Sequence, residues 1–181
     1  MLGLSPEEKV RHLWKTVEPD RHERIFALLD AARHDSIFPA VMGADCLIAC
    51  LYREAPDELA RAAPYLVEIQ PKSAFADWLF RRWGDHWGIL LATRARLDDL
   101  YRHFRRFLIV KEAGGRRLYF RYYDPRVLRS YLPTCTAEEL STVFGPVERF
   151  VLEDENPSGL LRFSLDRGAL RTERRPVLQE R

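Results

Sequence analysis

Between Tyr119 and Cys135 the chain reads YFRYYDPRVLRSYLPTC. Phenols, guanidinium groups, a carboxylate and a thiol are packed there more densely than anywhere else in the sequence. Strand alternation would send Leu118, Phe120 and Tyr122 to one side and Arg117, Tyr119, Arg121 and Tyr123 to the other. The first set predicts a core face, the second a ledge of two arginines and two tyrosines. Asp124 is placed to cap a following helix with Pro125 at its first position. Arg126 and Arg129 would then project near the ledge, within reach of Asp124. Tyrosine and arginine dominate the energetics of protein interfaces. They also make a stable solvated sheet face through cross-strand cation–π contacts. On chemistry alone both readings stay open.

Other stretches offer less. His34-Asp35 resembles half of a metal-binding pair, but no second His/Asp set stands at a recognisable spacing. His86 lies between two tryptophans in WGDHWG, where a packed or surface histidine is expected rather than a base. The sequence contains no nucleophile-elbow, phosphate-loop, zinc-protease or dinucleotide signature. The acidic run Glu153-Asp154-Glu155 reads as a solvated cluster ahead of a turn. Cys46, Cys50 and Cys135 have neither CxxC nor finger spacing, so reduced, buried thiols are expected. No enzyme is expected, and no cofactor or metal.

Nucleic acid is the next class to weigh. Arg94, Arg96, Arg102, Arg105 and Arg106 cluster around one predicted helix, with Arg116, Arg117 and Arg121 just beyond. Mixed with Tyr119 and Tyr123, they have the ingredients of a single-strand binder. Asp98, Asp99 and Glu112 dilute the patch, and the formal net charge is only +2 over 181 residues. A small arginine-rich nucleic-acid-binding protein is therefore the alternative, not the first reading. Of 29 basic residues only Lys9, Lys15, Lys72 and Lys111 are lysines, a bias that suits bidentate pairing and stacking at interfaces.

The elements that must position these residues follow from periodicity. Hydrophobic residues make up 46% of the chain, enough for a core. Ser5 and Glu8 make a capping box ahead of Val10, Leu13, Trp14 and Val17, a helical stripe that Pro19 ends. Strands are predicted at Arg24–Leu29, Cys46–Tyr52, Tyr65–Ile69, His86–Ala92, Leu108–Lys111, Arg117–Tyr123, Glu148–Glu153 and Leu160–Leu165. Helices are predicted near Ile37–Met42, after Pro56-Asp57, after Ser73, over Ala95–Phe107, after Asp124, and from Thr136 to Gly145. The interleaving predicts an α/β, or mixed α+β, single domain with a mixed, partly antiparallel sheet flanked by helices. Residues 1–19 read as an amphipathic helix whose Trp14 stripe needs a surface to cover. Residues 20–166 form the domain proper. Residues 167–181, with five arginines, two glutamates and no aromatic, read as a basic tail or a segment ordered only by a partner. No signal peptide or membrane span is read, so a cytoplasmic protein is expected.

Four stretches resemble the type VI secretion effector adaptors, the Tap or TEC adaptor family. They are RIFALLDAARHDSIFPAV, LARAAPYLVEI, WGDHWGILLATRARLDDLYRHFRRFLIV and LYFRYYDPRVLRSYLPTCTAEELSTVFGPVERFVLEDE, within residues 24 to 155. The matching positions include Trp83, Gly84, Trp87, Gly88, Phe120, Arg121, Asp124, Pro125, Arg126 and Pro133. The resemblance implies a non-enzymatic cytoplasmic chaperone that holds a toxic effector and helps load it onto the spike protein of the secretion apparatus. It supplies no catalytic residues. Many members carry a further lobe after this run, where this chain has a hairpin and the basic segment. Candidate partner-binding residues are Trp14, Trp83, Trp87, Tyr119, Arg121, Tyr123, Asp124, Arg126 and Arg129.

Overall fold

The capping box at the start of the chain is made as two hydrogen bonds, Ser5 N to Glu8 Oε2 at 2.9 Å and Glu8 N to Ser5 Oγ at 3.3 Å. In the computed structural model, which describes residues 5–17, 19–20, 22–112, 114–156 and 159–177, they open α1 (Pro6–Val17). The chain continues through β1 (Arg24–Asp30), α2 (Ile37–Met42), β2 (Ile48–Cys50), α3 (Asp57–Ala60), β3 (Pro64–Glu68), α4 (Ala74–Arg81), β4 (Gly88–Thr93) and α5 (Leu97–Arg105). It ends with β5 (Ile109–Lys111), β6 (Arg117–Tyr119), α6 (Pro125–Tyr131), α7 (Ala137–Phe144), β7 (Val147–Glu153), β8 (Gly159–Asp166) and β9 (Ala169–Pro176). The caps read at Ser73, Asp124 and Thr136 are all formed, the last with Glu139 as a full capping box.

The mixed α+β class is what the structure shows. Among the described residues one seven-stranded sheet runs β2-β3-β1-β4-β7-β8-β9, and β5 and β6 form a separate two-stranded sheet. Every pairing is antiparallel. The central strands are covered on both faces, which is why RIFALL and GILLA read as unbroken apolar runs instead of alternating ones. Ile25, Ala27 and Leu29 face a layer of α1, α2 and α4, while Phe26 and Leu28 face α5, α6 and α7.

Two glycines are fixed by close approach. A Cβ on Gly88 would lie 2.2 Å from the Leu28 carbonyl oxygen and 2.9 Å from Leu29 Cα, so β4 approaches β1 here only because the side chain is missing. Gly145 ends α7 at φ +47°, and a Cβ there would meet the His103 ring at 2.3 Å.

The described residues of both terminal segments are integrated into the fold. α1 packs on α4 with Val10, Leu13 and Val17 buried, so it covers the domain's own core rather than standing as an appendage. Residues 169–176, expected to belong to a tail, form β9 and pair with β8 along its length, from Gly159↔Pro176 to Asp166↔Ala169. Arg171, Arg174 and Arg175 are themselves paired residues of this strand, and the antiparallel ladder holds them without an apolar pattern. Residues 178–181 lie outside the described residues. Predicted strands 46–52 and 117–123 are each formed only over three residues; cross-strand bonds persist at Leu47, Leu51 and Phe120, and the chain then turns at 51–54 and 122–124.

An ion pair ties the segment before β1 to β7. The Arg149 guanidinium binds Glu23 bidentately, at 3.0 and 2.5 Å, with both residues buried, and reaches Asp20 at 3.4 Å.

Candidate partner-binding surface

The hairpin sets the geometry. Val110 stands opposite Leu118, and Ile109 opposite Tyr119. Phe120 N donates to Leu108 O at 3.1 Å, and Leu108 is buried. Positions 108, 110, 118 and 120 therefore share the side that turns toward the body, and 109, 111, 117 and 119 share the outer side. The parity read from the sequence holds through Arg121. It fails at Tyr123 because the chain leaves the strand and turns at residues 122–124 to start α6.

The ledge is consequently split. Tyr119 is 72% exposed, the most exposed large apolar side chain among those described. Arg121 keeps part of its side chain in solvent but pairs with the buried Asp30 at the end of β1. Tyr123 is buried beside Tyr52, where burial pushes its phenol well above the usual range. Asp124 is buried too. Burial alone would raise its carboxyl, but hydrogen bonds from Arg126 outweigh this and hold it below the ordinary value. Those bonds come from the Arg126 backbone N at 3.0 Å, Nε at 2.9 Å and a terminal guanidinium nitrogen at 2.6 Å. Arg129 is directed inward, donating to the Glu153 carbonyl at 3.0 Å and approaching Glu155 at 3.6 Å. Arg121, Arg126 and Arg129 thus neutralise and crosslink the fold, and charge reversal at 121 or 126 would break an internal pair before it tested a partner.

The tryptophans lie elsewhere, on the opposite face of the main sheet. Trp83 and Trp87 are buried, and Trp14 packs edge-on against Phe80 at 5.0 Å. Trp87 sits against Trp78 at 5.1 Å, stacks on His34 at 5.4 Å and has the Arg82 guanidinium 5.5 Å from its ring. His34 turns its Nδ1 to Ser36. Among the described residues no three His, Cys, Asp or Glu side chains come together as a metal cluster. Of the nine candidate residues, Tyr119, Arg121, Tyr123, Asp124 and Arg126 are brought together, and the three tryptophans are not part of that group.

Several organising residues were not singled out in the sequence. Asp30 follows an apolar run and is buried as both a turn cap, accepting from Ala32 N at 3.1 Å, and the partner of Arg121. Glu153 corrects the reading of a solvated acidic run. Its carboxylate is buried, accepts from Gly84 N at 2.8 Å and His86 N at 3.1 Å, and pairs with the His86 ring. Burial raises this carboxyl despite those partners. Gly84 and His86, whose amides converge on the carboxylate, both take positive φ, 112° and 56°. His103 is buried with both nitrogens engaged: Arg106 donates to Nδ1 at 3.1 Å, so Nε2 carries the proton and donates to Val143 O at 2.9 Å. It lines a depression of about 290 Å³ with Asp99, Arg102, Arg106, Gly145 and Pro146. The three cysteines are free and half-buried.

Among the described residues no helix is long and apolar enough to cross a membrane. No curated protein and no solved structure matches the chain. A family model described as a domain of unknown function, DUF4123, matches residues 25–142. That span takes in β1 through most of α7, including the hairpin, the Asp30–Arg121 pair and the capped α6, and by it the chain belongs to the DUF4123 family.

Proposed function

We propose that this protein is an adaptor-chaperone of type VI secretion, acting by binding rather than turnover. It would hold a segment of a toxic effector in the cytoplasm and help present it to the spike protein. The family match over residues 25–142 is the observation that carries this reading, because it falls on the same stretches that resemble the effector adaptors. The surface chemistry supports it. Of the seven exposed large apolar side chains among the described residues, four sit on one small hairpin, Ile109 and Tyr119 on its outer side and Val110 and Leu118 on the other. Concentrated exposed apolar surface of this kind marks a protein-binding site more often than a solvated face.

Co-purification from the native bacterium, with the tag on the full chain and identification by mass spectrometry, tests the reading. Recovery of one multidomain toxin together with a spike protein is the expected result. Recovery of nucleic acid, or of nothing above background, would remove it.

A further inference from the structure

The outer side of the β5–β6 hairpin holds an unusual pair. Lys111 stands directly opposite Arg117 in the antiparallel register. Directly opposed like charges destabilise a strand pair, and neither side chain has an acidic partner among the described residues. The nearest hairpin carboxylate, Glu112, is committed to Arg116 through bonds of 3.0 and 3.2 Å. One step along the same side, Ile109 and Tyr119 are opposite each other, at 38% and 72% exposure. The hairpin is also separate from the main sheet. Two isolated strands are marginal in water, and a third with a suitable face is what stabilises them.

We infer that the hairpin is a docking site for an extended, acidic-apolar protein segment that adds as a third strand. Its acidic side chain would lie beside Lys111 and Arg117, and an apolar side chain two residues away would cover Ile109 and Tyr119. The two-residue spacing follows from strand alternation, and the acid follows from the uncompensated cation pair. Main-chain bonds would supply affinity and the two side chains specificity, as in other strand additions. The aliphatic Ile109 beside the cations favours a polypeptide over a nucleic-acid strand. This deepens the adaptor reading by naming the chemistry of the segment held, and it rests on that reading for the segment's source.

A phage library of random dodecapeptides panned on the full chain tests the site without needing the natural effector. The expected result is enrichment of peptides with Asp or Glu two positions from Val, Ile, Leu or an aromatic residue. A synthetic peptide from the enriched set should lose at least tenfold in affinity for the folded Lys111→Glu, Arg117→Glu double variant. It should lose as much on N-methylation of alternate backbone amides. No enrichment, enrichment without acids, equal binding to the variant, or tighter binding of a generic oligonucleotide than of any peptide would overturn the site. Co-purification with the wild-type chain judges the adaptor reading separately. If a toxin is recovered equally well by the double variant, the hairpin proposal falls and the adaptor reading stands.

Discussion

At the residue scale, two positions have outcomes that follow from contact geometry. A methyl group at Gly88 would meet backbone, not a mobile side chain, so β1 and β4 must separate to admit it. Gly88→Ala is expected to cost about 1–3 kcal/mol, the range of overpacking in a close-packed interior, read as a lower urea midpoint with an unchanged slope. His103 makes the stability pH-dependent. Burial lowers its pKa, the Val143 carbonyl opposes this, and the neighbouring Arg106 cation adds to it. In the unfolded chain the imidazole takes its proton near the ordinary value of about 6.5. The folded state binds that proton only at lower pH. The contribution of His103 is therefore fully present above about pH 6.5 and is lost as the pH falls from there through the folded value. Asp99, Arg102 and Arg106 face the same depression. Urea midpoints at pH 7.5 and 5.5 should fall more for wild type than for His103→Gln, while equal falls would mean that another group sets the acid limb.

At the element scale, the buried Arg149–Glu23 pair joins β7 to the turn that leads into β1. Removing one partner of a buried pair leaves an uncompensated charge, which costs about 3–5 kcal/mol, whereas replacing both with apolar groups is often neutral. Arg149→Met should fall in that range, and Arg149→Met with Glu23→Leu should recover most of the loss. A double variant no better than the single one would show that Glu23 is not stranded when the arginine is lost. This pair also shows what sequence hides. Helices were legible because their starts are local: Ser5 with Glu8, Ser73, Asp124 with Pro125, and Thr136 with Glu139 each announce a cap within four residues. The partner of Arg149 is 126 positions away, and that of Arg121 is 91 away. Neither separation leaves a local pattern. The ledge was legible as far as strand parity applied and was misread at Tyr123, where a turn interrupts the alternation.

At the scale of the whole molecule, the two apolar clusters share one sheet. Adjacent residues of β1 serve opposite clusters, Ile25, Ala27 and Leu29 on one side and Phe26 and Leu28 on the other, and β4 divides likewise with Leu90 against Ile89 and Leu91. Neither layer can lose its sheet without exposing the other. The tryptophans all lie on one side of that sheet and most of the tyrosines on the other, with Tyr65 the buried exception on the tryptophan side. Trp14, Trp78, Trp83 and Trp87 all belong to the α1–α2–α4 side, whereas Tyr101, Tyr122, Tyr123 and Tyr131 belong to the α5–α6–α7 side. This arrangement also explains why WGDHWG is easily taken for a binding motif. Its two tryptophans form part of the first layer, while its backbone amides clasp Glu153 at the end of β7. Equilibrium unfolding should therefore be one cooperative transition. Tryptophan fluorescence, tyrosine near-ultraviolet dichroism and far-ultraviolet dichroism should give the same urea midpoint, within error, for the full chain. A tryptophan transition that precedes the tyrosine one would mean that the α1 layer opens independently. In that case the β1–β4 core does not couple the two faces as its shared strands require.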